Sequence, residues 1–448
     1  MEKWDATETA QRIASGDASA TEVIEASIQR MEVWNPKLHA LTHFDPERAL
    51  RAAQTPLSGI FAGVPTVIKD LEDFEGVPTR CGTRAFHPGP AKRHADTVAQ
   101  YLSTGMIPLG KSTTSEFGLT GTVEPVDAPP TLNPINRAHT AGGSSGGSAA
   151  LVAAGVVPIA HGGDGGGSIR IPAAFCGLVG LKPSRGRLAM MDKAKRLPVR
   201  IAQMGVLTRT VRDTANYYAA VERMAPAEGM PPVGLVEGPG TTTYRIGAFI
   251  DTPTGTPVDP EVRQATEATA KRLTELGHEV QWMSIPAGQQ ETDDFLLYWA
   301  FTALILEGLV ALSPAARVRK LEPWTRSLAA DARRNILKIN GVIKRLRAYE
   351  STYNALFEDI DVLLCPTTAG PAPTIGVLTP DQPFAQKRQA LLELLPYTPV
   401  QNVAGAPAIS VPSGRTTTGL PIGIQLAGPV GSEARLLSLA FALEETME

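Results

Sequence analysis

The sequence predicts an α/β protein, and three observations carry that expectation. Strand-like and helix-like patterns alternate from the start of the chain to about residue 220. Short apolar runs return later, as Val362-Leu-Leu-Cys365-Pro366 and Ala408-Ile-Ser-Val411-Pro412. A chain of 448 residues, 43% of them hydrophobic, also has ample material for a large core. No internal repeat indicates a solenoid.

The elements can be justified in order. Ser19-Ala-Thr-Glu22 has the form of a capping box, Ile24, Ile28 and Met31 follow at helical spacing, and Asn35-Pro36 is expected to stop that helix. Residues 63–68 read as a short buried strand leading into Lys69-Asp70. Residues 96–104 read as helix and 107–109 as strand. Between about 285 and 360 the pattern turns helical and more charged, which predicts a helical insertion over the main sheet within one domain spanning 1–448. The runs 362–366 and 408–412 are expected to be strands that end at their prolines, and 420–426 another strand. Residues 432–445 close the chain as a helix, with Leu436, Leu439, Ala440 and Leu443 on one face.

Composition narrows the function. A net charge of -3 without a basic block argues against a phosphate backbone as main partner, so no nucleic acid is expected. The opening residues lack the apolar stretch of a signal peptide, no Asn-x-Ser/Thr acceptor occurs, and the three cysteines, Cys81, Cys176 and Cys365, are widely separated. A reduced, cytoplasmic setting is the expectation, with neither a disulfide framework nor a metal site, and Cys176 is read as a buried core thiol. Residues 295–312 are almost wholly apolar, but Glu307 and Gly308 interrupt them after about 12 residues, where a membrane span needs roughly 20. A buried or pocket-lining helix is the better reading, with a membrane-dipping helix as the alternative.

The richest segment lies between Gly142 and Gly186, where GGSSGGSAALVAAG and HGGDGGGSIRIPAAFCGLVGLKPSRGR bring two serines into glycine runs. Such runs let main-chain N–H groups approach a ligand closely, and they suggest hydroxyl chemistry beside an anion-stabilising nest. A phosphate cradle is disfavoured. The formal match Gly105-Met-Ile-Pro-Leu-Gly110-Lys111-Ser112 follows a predicted helix and is filled with bulky side chains, and no dinucleotide fingerprint sits in a strand–turn–helix setting. A Ser-His-Asp triad cannot be assembled by motif either, since none of the seven histidines has the required surroundings, and His161 reads as structural.

Lys69 in GVPTVIKD, Ser144 in GGSSGGS, Ser168 in DGGGSIRIPA and the following CGLVGLKPSRGR resemble the amidase signature family of serine hydrolases, as does the spacing of 24 positions between the serines. GVLTRTVRD, DVLLCPT, NVAGAPAISVP and GLPIGIQLAGP extend the resemblance over nearly the whole chain. It implies a central mixed β-sheet flanked by helices on both faces, and a cofactor-independent hydrolase of amide C–N bonds. It also implies a Ser-cisSer-Lys triad. Ser168 would be the nucleophile, Ser144, after a cis peptide from Gly143, the bridging hydroxyl, and Lys69 the base, kept neutral by burial behind Val64, Val67 and Ile68. The N–H groups of Gly165, Gly166, Gly167 and Ser168 would form the oxyanion hole. Asp164 and Arg170 would brace the loop, or form a plain structural ion pair, and Ser145 would either orient the triad or cap the next helix.

This sequence departs from the common pattern at Gly165, where many relatives carry a larger residue, at Ser112 and Thr113, and at Val206. GDGGGS with KPSRGR is more similar to the branch containing nylon-oligomer hydrolases and urethanases, which implies a small-molecule amide or carbamate substrate and a monomer or homodimer. An amidotransferase subunit for tRNA-dependent amidation and a non-catalytic binding protein on the same scaffold are the alternatives. Residues 120–134, 290–350 and 396–405 are expected to line the pocket, with Phe117, Tyr298, Trp299 and Trp324 as its aromatic candidates, and no carboxylate or arginine among them stands out as a specific anchor.

Overall fold

The computed structural model describes residues 4–286, 288–312 and 316–446. The chain's first three residues, and positions 287 and 313–315 of the expected insertion, therefore lie outside the described residues. Eleven strands are formed among those described: β1 (Leu41–Phe44), β2 (Pro65–Lys69), β3 (Ile107–Ser112), β4 (Ile159–Asp164), β5 (Val179–Lys182), β6 (Gln203–Thr208), β7 (Arg245–Ala248), β8 (Glu279–Trp282), β9 (Val362–Pro366), β10 (Ala408–Arg415) and β11 (Pro421–Ala427).

Eight of them make a mixed sheet in the order β4-β6-β5-β10-β11-β9-β7-β8, as the α/β expectation requires. Its first six strands pair antiparallel, and β7 joins β9 and β8 in parallel. The other three form a separate small sheet, β1-β3-β2. The two sheets meet where Thr66 Oγ1 on β2 donates to the Ile159 carbonyl on β4 at 2.9 Å.

Burial on both faces explains the near-continuous apolar strands. Val362 and Leu364 of β9, with Ile409 and Val411 of β10, enter one core cluster with the helices Val211–Met224 and Glu433–Glu445. Leu363 and Cys365, one position out of phase, enter another with the helices Gln289–Ala311 and Ile339–Ala355. The expected stripe Leu436, Leu439, Ala440 and Leu443 is buried.

Two boundaries differ from expectation. The capping box forms, with Ser19 and Glu22 exchanging hydrogen bonds, but the helix runs Ala20–Leu38, past Pro36. Proline there removes only its own N–H, two residues from the helix end, opposite the carbonyl of exposed Glu32. Asn35 Oδ1 then accepts from the Ala40 and Leu41 N–H groups beyond the helix. Likewise β10 continues through Pro412 to Arg415. Its pairing with β5 stops at Ser410, so Pro412 has a strand neighbour only in β11, and the missing donor is tolerated.

The helices Gln289–Ala311, Pro323–Arg334 and Ile339–Ala355 run over the end of the sheet where β4 finishes. The apolar helix Gln289–Ala311 is long enough by composition to cross a bilayer, but its inner face is packed against the protein, with Phe295, Tyr298, Ala300 and Ala303 buried.

Candidate active site

Lys69 is the last residue of β2 and is wholly buried. Its Nζ lies 2.7 Å from Ser144 Oγ, 2.8 Å from Ser145 Oγ and 3.0 Å from the Gly163 carbonyl of β4. Burial pushes the amine down to about 7, against the opposite pull of the Asp164 and Glu72 carboxylates. The next residue, Asp70, is ion-paired with buried Lys111 at 2.7 Å, so its charge is met by β3 and not by Lys69.

Ser144 and Ser145 sit on the turn before the helix Gly146–Ala153, and the Gly143–Ser144 peptide is cis. Ser145 does not cap that helix with its side chain. Its Oγ accepts from the Gly163 N–H and donates to the Gly163 carbonyl, both at 3.2 Å, in addition to its contact with Lys69. Its side chain thus contacts the lysine amine and not the first turn of that helix.

Ser168 stands on the loop between β4 and the helix Arg170–Cys176, at the wall of a cavity of about 350 Å³. No hydrogen bond joins it to Ser144 among the described residues. The loop is held from beneath. Asp164 accepts from the N–H groups of Gly167 (2.7 Å) and Ile169 (3.2 Å) and from Arg170 Nε and Nη2, both at 3.0 Å. Burial alone would raise the Asp164 carboxyl, but Arg170, Lys182 and the Asn402 amide outweigh it and hold it well below the usual carboxylate range. Arg170 spends its remaining donors on Gln401, Asn402 and Gln425.

This geometry corrects the expected oxyanion set. The Gly167 N–H is consumed by Asp164, so it cannot also serve an oxyanion. The N–H groups of Gly165, Gly166 and Ser168 meet no acceptor among the described residues. Glycine at 165 and 166 follows from crowding: a Cβ would lie 3.3 Å from the Trp299 ring at Gly165 and 2.9 Å from the Phe295 ring at Gly166. The two rings are stacked, with centroids 5.5 Å apart.

The cavity is mostly apolar and draws on the three segments expected to line it, through Thr120, Gly121, Trp299, Trp324, Pro396 and Val400 among others. Tyr298 does not line it. Its hydroxyl donates to the Val199 carbonyl at 2.7 Å, on the far side of its helix. Phe117 also falls outside the lining and stacks on Phe86. Charged groups stand in the wall: Asp294 and Arg345 face each other through two bonds of 2.6 Å. Phe295, Gln401 and Gln425 went unassigned in the sequence. Asn402 had a signal, since it opens the NVAGAP motif, but its bond to Asp164 crosses 238 positions.

A glycine loop presenting a serine to an apolar cavity, with a buried amine and a second serine behind it, on a mixed α/β fold, defines a hydrolase, and comparison with known proteins specifies which bond. Residues 22–437 match the family profile described as Amidase. The chain is 44% identical to AmiC of Mycobacterium tuberculosis, a protein whose amidase designation is provisional, over 98% of this chain and 94% of that one. It is 32% identical to the 6-aminohexanoate-cyclic-dimer hydrolase of a Pseudomonas strain, over 99% of this chain and 95% of that protein. A solved 6-aminohexanoate cyclic dimer hydrolase with bound substrate superposes with a TM-score of 0.89 at 30% identity, covering 99% of this chain and 96% of that one. A bacterial aryl acylamidase superposes at 0.85 and 28% identity, covering 99% of this chain and 96% of that one. The chain belongs to the amidase signature family, and it is an enzyme that hydrolyses amide C–N bonds.

Proposed function

We propose that the protein cleaves small amides, and carbamates as well, through an acyl- or carbamoyl-enzyme on Ser168, with Lys69 as base and Ser144 as the relay between them. The observation that carries this reading is Lys69: a fully buried amine within 2.7 Å of a serine hydroxyl, its affinity for a proton reduced by burial. A neutral amine has two N–H donors and one lone pair. Gly163 and Ser145 take the donors, which leaves the lone pair for the Ser144 proton.

In this reading Ser144 passes its proton to Lys69 as it accepts that of Ser168, and Ser168 Oγ attacks the substrate carbonyl. The Ser168–Ser144 hydrogen bond forms with substrate bound, as catalytic bonds often tighten only in the complex. The N–H groups of Gly165, Gly166 and Ser168 hold the oxyanion. On collapse the proton returns through Ser144 to the leaving nitrogen, and the C–N bond breaks. Water, deprotonated by the same relay, then releases the acid and restores Ser168. A carbamate split at C–O would leave a carbamoyl-enzyme and finally a carbamic acid that loses carbon dioxide. Split at C–N, it would leave an alkoxycarbonyl-enzyme that ends as alcohol and carbon dioxide.

Support for small, largely apolar substrates comes from the cavity wall, and the cyclic amide handled by a relative of similar fold points the same way. The test is a side-by-side panel of aryl amides, linear and cyclic aliphatic amides, esters and dicarbamates, with Ser168→Ala as control. Turnover of at least one amide that disappears in Ser168→Ala is the expected result. Undiminished turnover in that variant would overturn the reading.

A further inference from the structure

Resting on that reading of the glycine loop, we infer that Thr398 is a positioning residue, which sets the oxyanion hole by holding the Gly166–Gly167 peptide from the side opposite Asp164. Thr398 Oγ1 donates to the Gly166 carbonyl at 2.7 Å, and the Gly167 N–H of the same peptide unit donates to Asp164 Oδ1 at 2.7 Å. In a trans peptide these two groups point in opposite directions, so one plane is gripped at both ends.

The grip matters because these are the only hydrogen bonds that this peptide unit makes among the described residues. Both flanking residues are glycines, and Gly167 has φ +123°, outside the regions that L side chains favour. With no Cβ on either side, the peptide could turn over at little steric cost, and the Gly166 and Ser168 N–H groups on either side of it would be re-aimed. Thr398 also dictates the glycine. A Cβ at Gly167 would lie 2.2 Å from Thr398 Oγ1. Thr398 itself is wholly buried and outside the cavity lining, while its neighbours Pro396, Pro399 and Val400 are in it. It therefore reaches substrate only through the loop, and it links the pocket wall formed by the helix Pro399–Ala404 to the reacting centre.

The effect should appear in the chemical step and not in binding. Thr398→Val keeps the shape and removes the donor; Thr398→Ser keeps the donor. With a fluorophosphonate, whose P=O oxygen occupies the oxyanion position, the saturating rate of Ser168 phosphonylation should fall about 10- to 100-fold in Thr398→Val. The concentration for half-saturation should stay within about twofold, and Thr398→Ser should keep the wild-type rate. A merely structural role predicts a lowered melting temperature and parallel losses in both variants. Wild-type phosphonylation in folded Thr398→Val, or equal losses in Thr398→Ser, would overturn the inference alone. If the folded wild type is not labelled, or Ser168→Ala is labelled as fast, the reading of Ser168 as nucleophile fails instead.

Discussion

As the proposed base, Lys69 should decide the pH behaviour of the site. An ammonium has no lone pair and cannot take the Ser144 proton, so the proposed relay needs the neutral amine, whose share grows as pH rises through about 7. At a lower pH the lysine is protonated and the proposed relay would stop. Turnover per enzyme should therefore climb along a single limb with its midpoint near pH 7, and not near the value of about 10.4 typical of an exposed lysine. Lys69→Ala should lower the maximal rate by about 100-fold or more and abolish that limb. Steady-state rates between pH 5 and pH 9 on one amide, for both proteins, check this. An acid optimum, or an unchanged limb in Lys69→Ala, would rule the lysine out as base.

At the scale of the element, the helix Gln289–Ala311 is apolar on nearly every side, so its sequence pattern cannot tell which side faces the reaction. That is why Tyr298 and Trp299 looked equally suited to the pocket. Neighbouring helical residues point about 100° apart, and the structure sends Trp299 to the glycine loop and Tyr298 to Val199. Phe295, one turn before Trp299, completes the aromatic lid on Gly165 and Gly166. Crowding here makes a specific demand. Gly166→Ala would drive its new methyl into the Phe295 ring, at 2.9 Å, and should cost about 10- to 100-fold in turnover by displacing the loop. Adding Phe295→Leu should restore part of the loss. Kinetics of the two single variants and the double variant test the coupling, and strictly additive losses would refute it.

The whole molecule explains which features were legible. Lys69, Ser144, Ser168 and the glycine loop could be found because each lies in a short motif with its own local geometry. The Arg170 network could not, since Gln401, Asn402 and Gln425 reach it across more than 230 positions and make their bonds only once the sheet is assembled. The α/β class was likewise readable from alternation, whereas the division into two sheets depends on pairing register, which periodicity does not encode. Thr66 fastens that division, donating to Ile159 and sharing a 2.5 Å bond with the Tyr101 hydroxyl. Thr66→Val removes the donor to the Ile159 carbonyl and takes this partner from the buried Tyr101 hydroxyl, and should cost about 1–3 kcal/mol by denaturant titration, with turnover falling alongside. Unchanged stability would mean that the seam is held elsewhere. Lys69, the proposed base, hangs from the small sheet and Ser168 from the large one, so the proposed relay would cross the seam between them. On that reading neither sheet owns an active site. Activity would then gauge their docking, read out in tenths of an ångström, and a chain with both sheets intact but slightly parted should look native to circular dichroism and still turn over nothing.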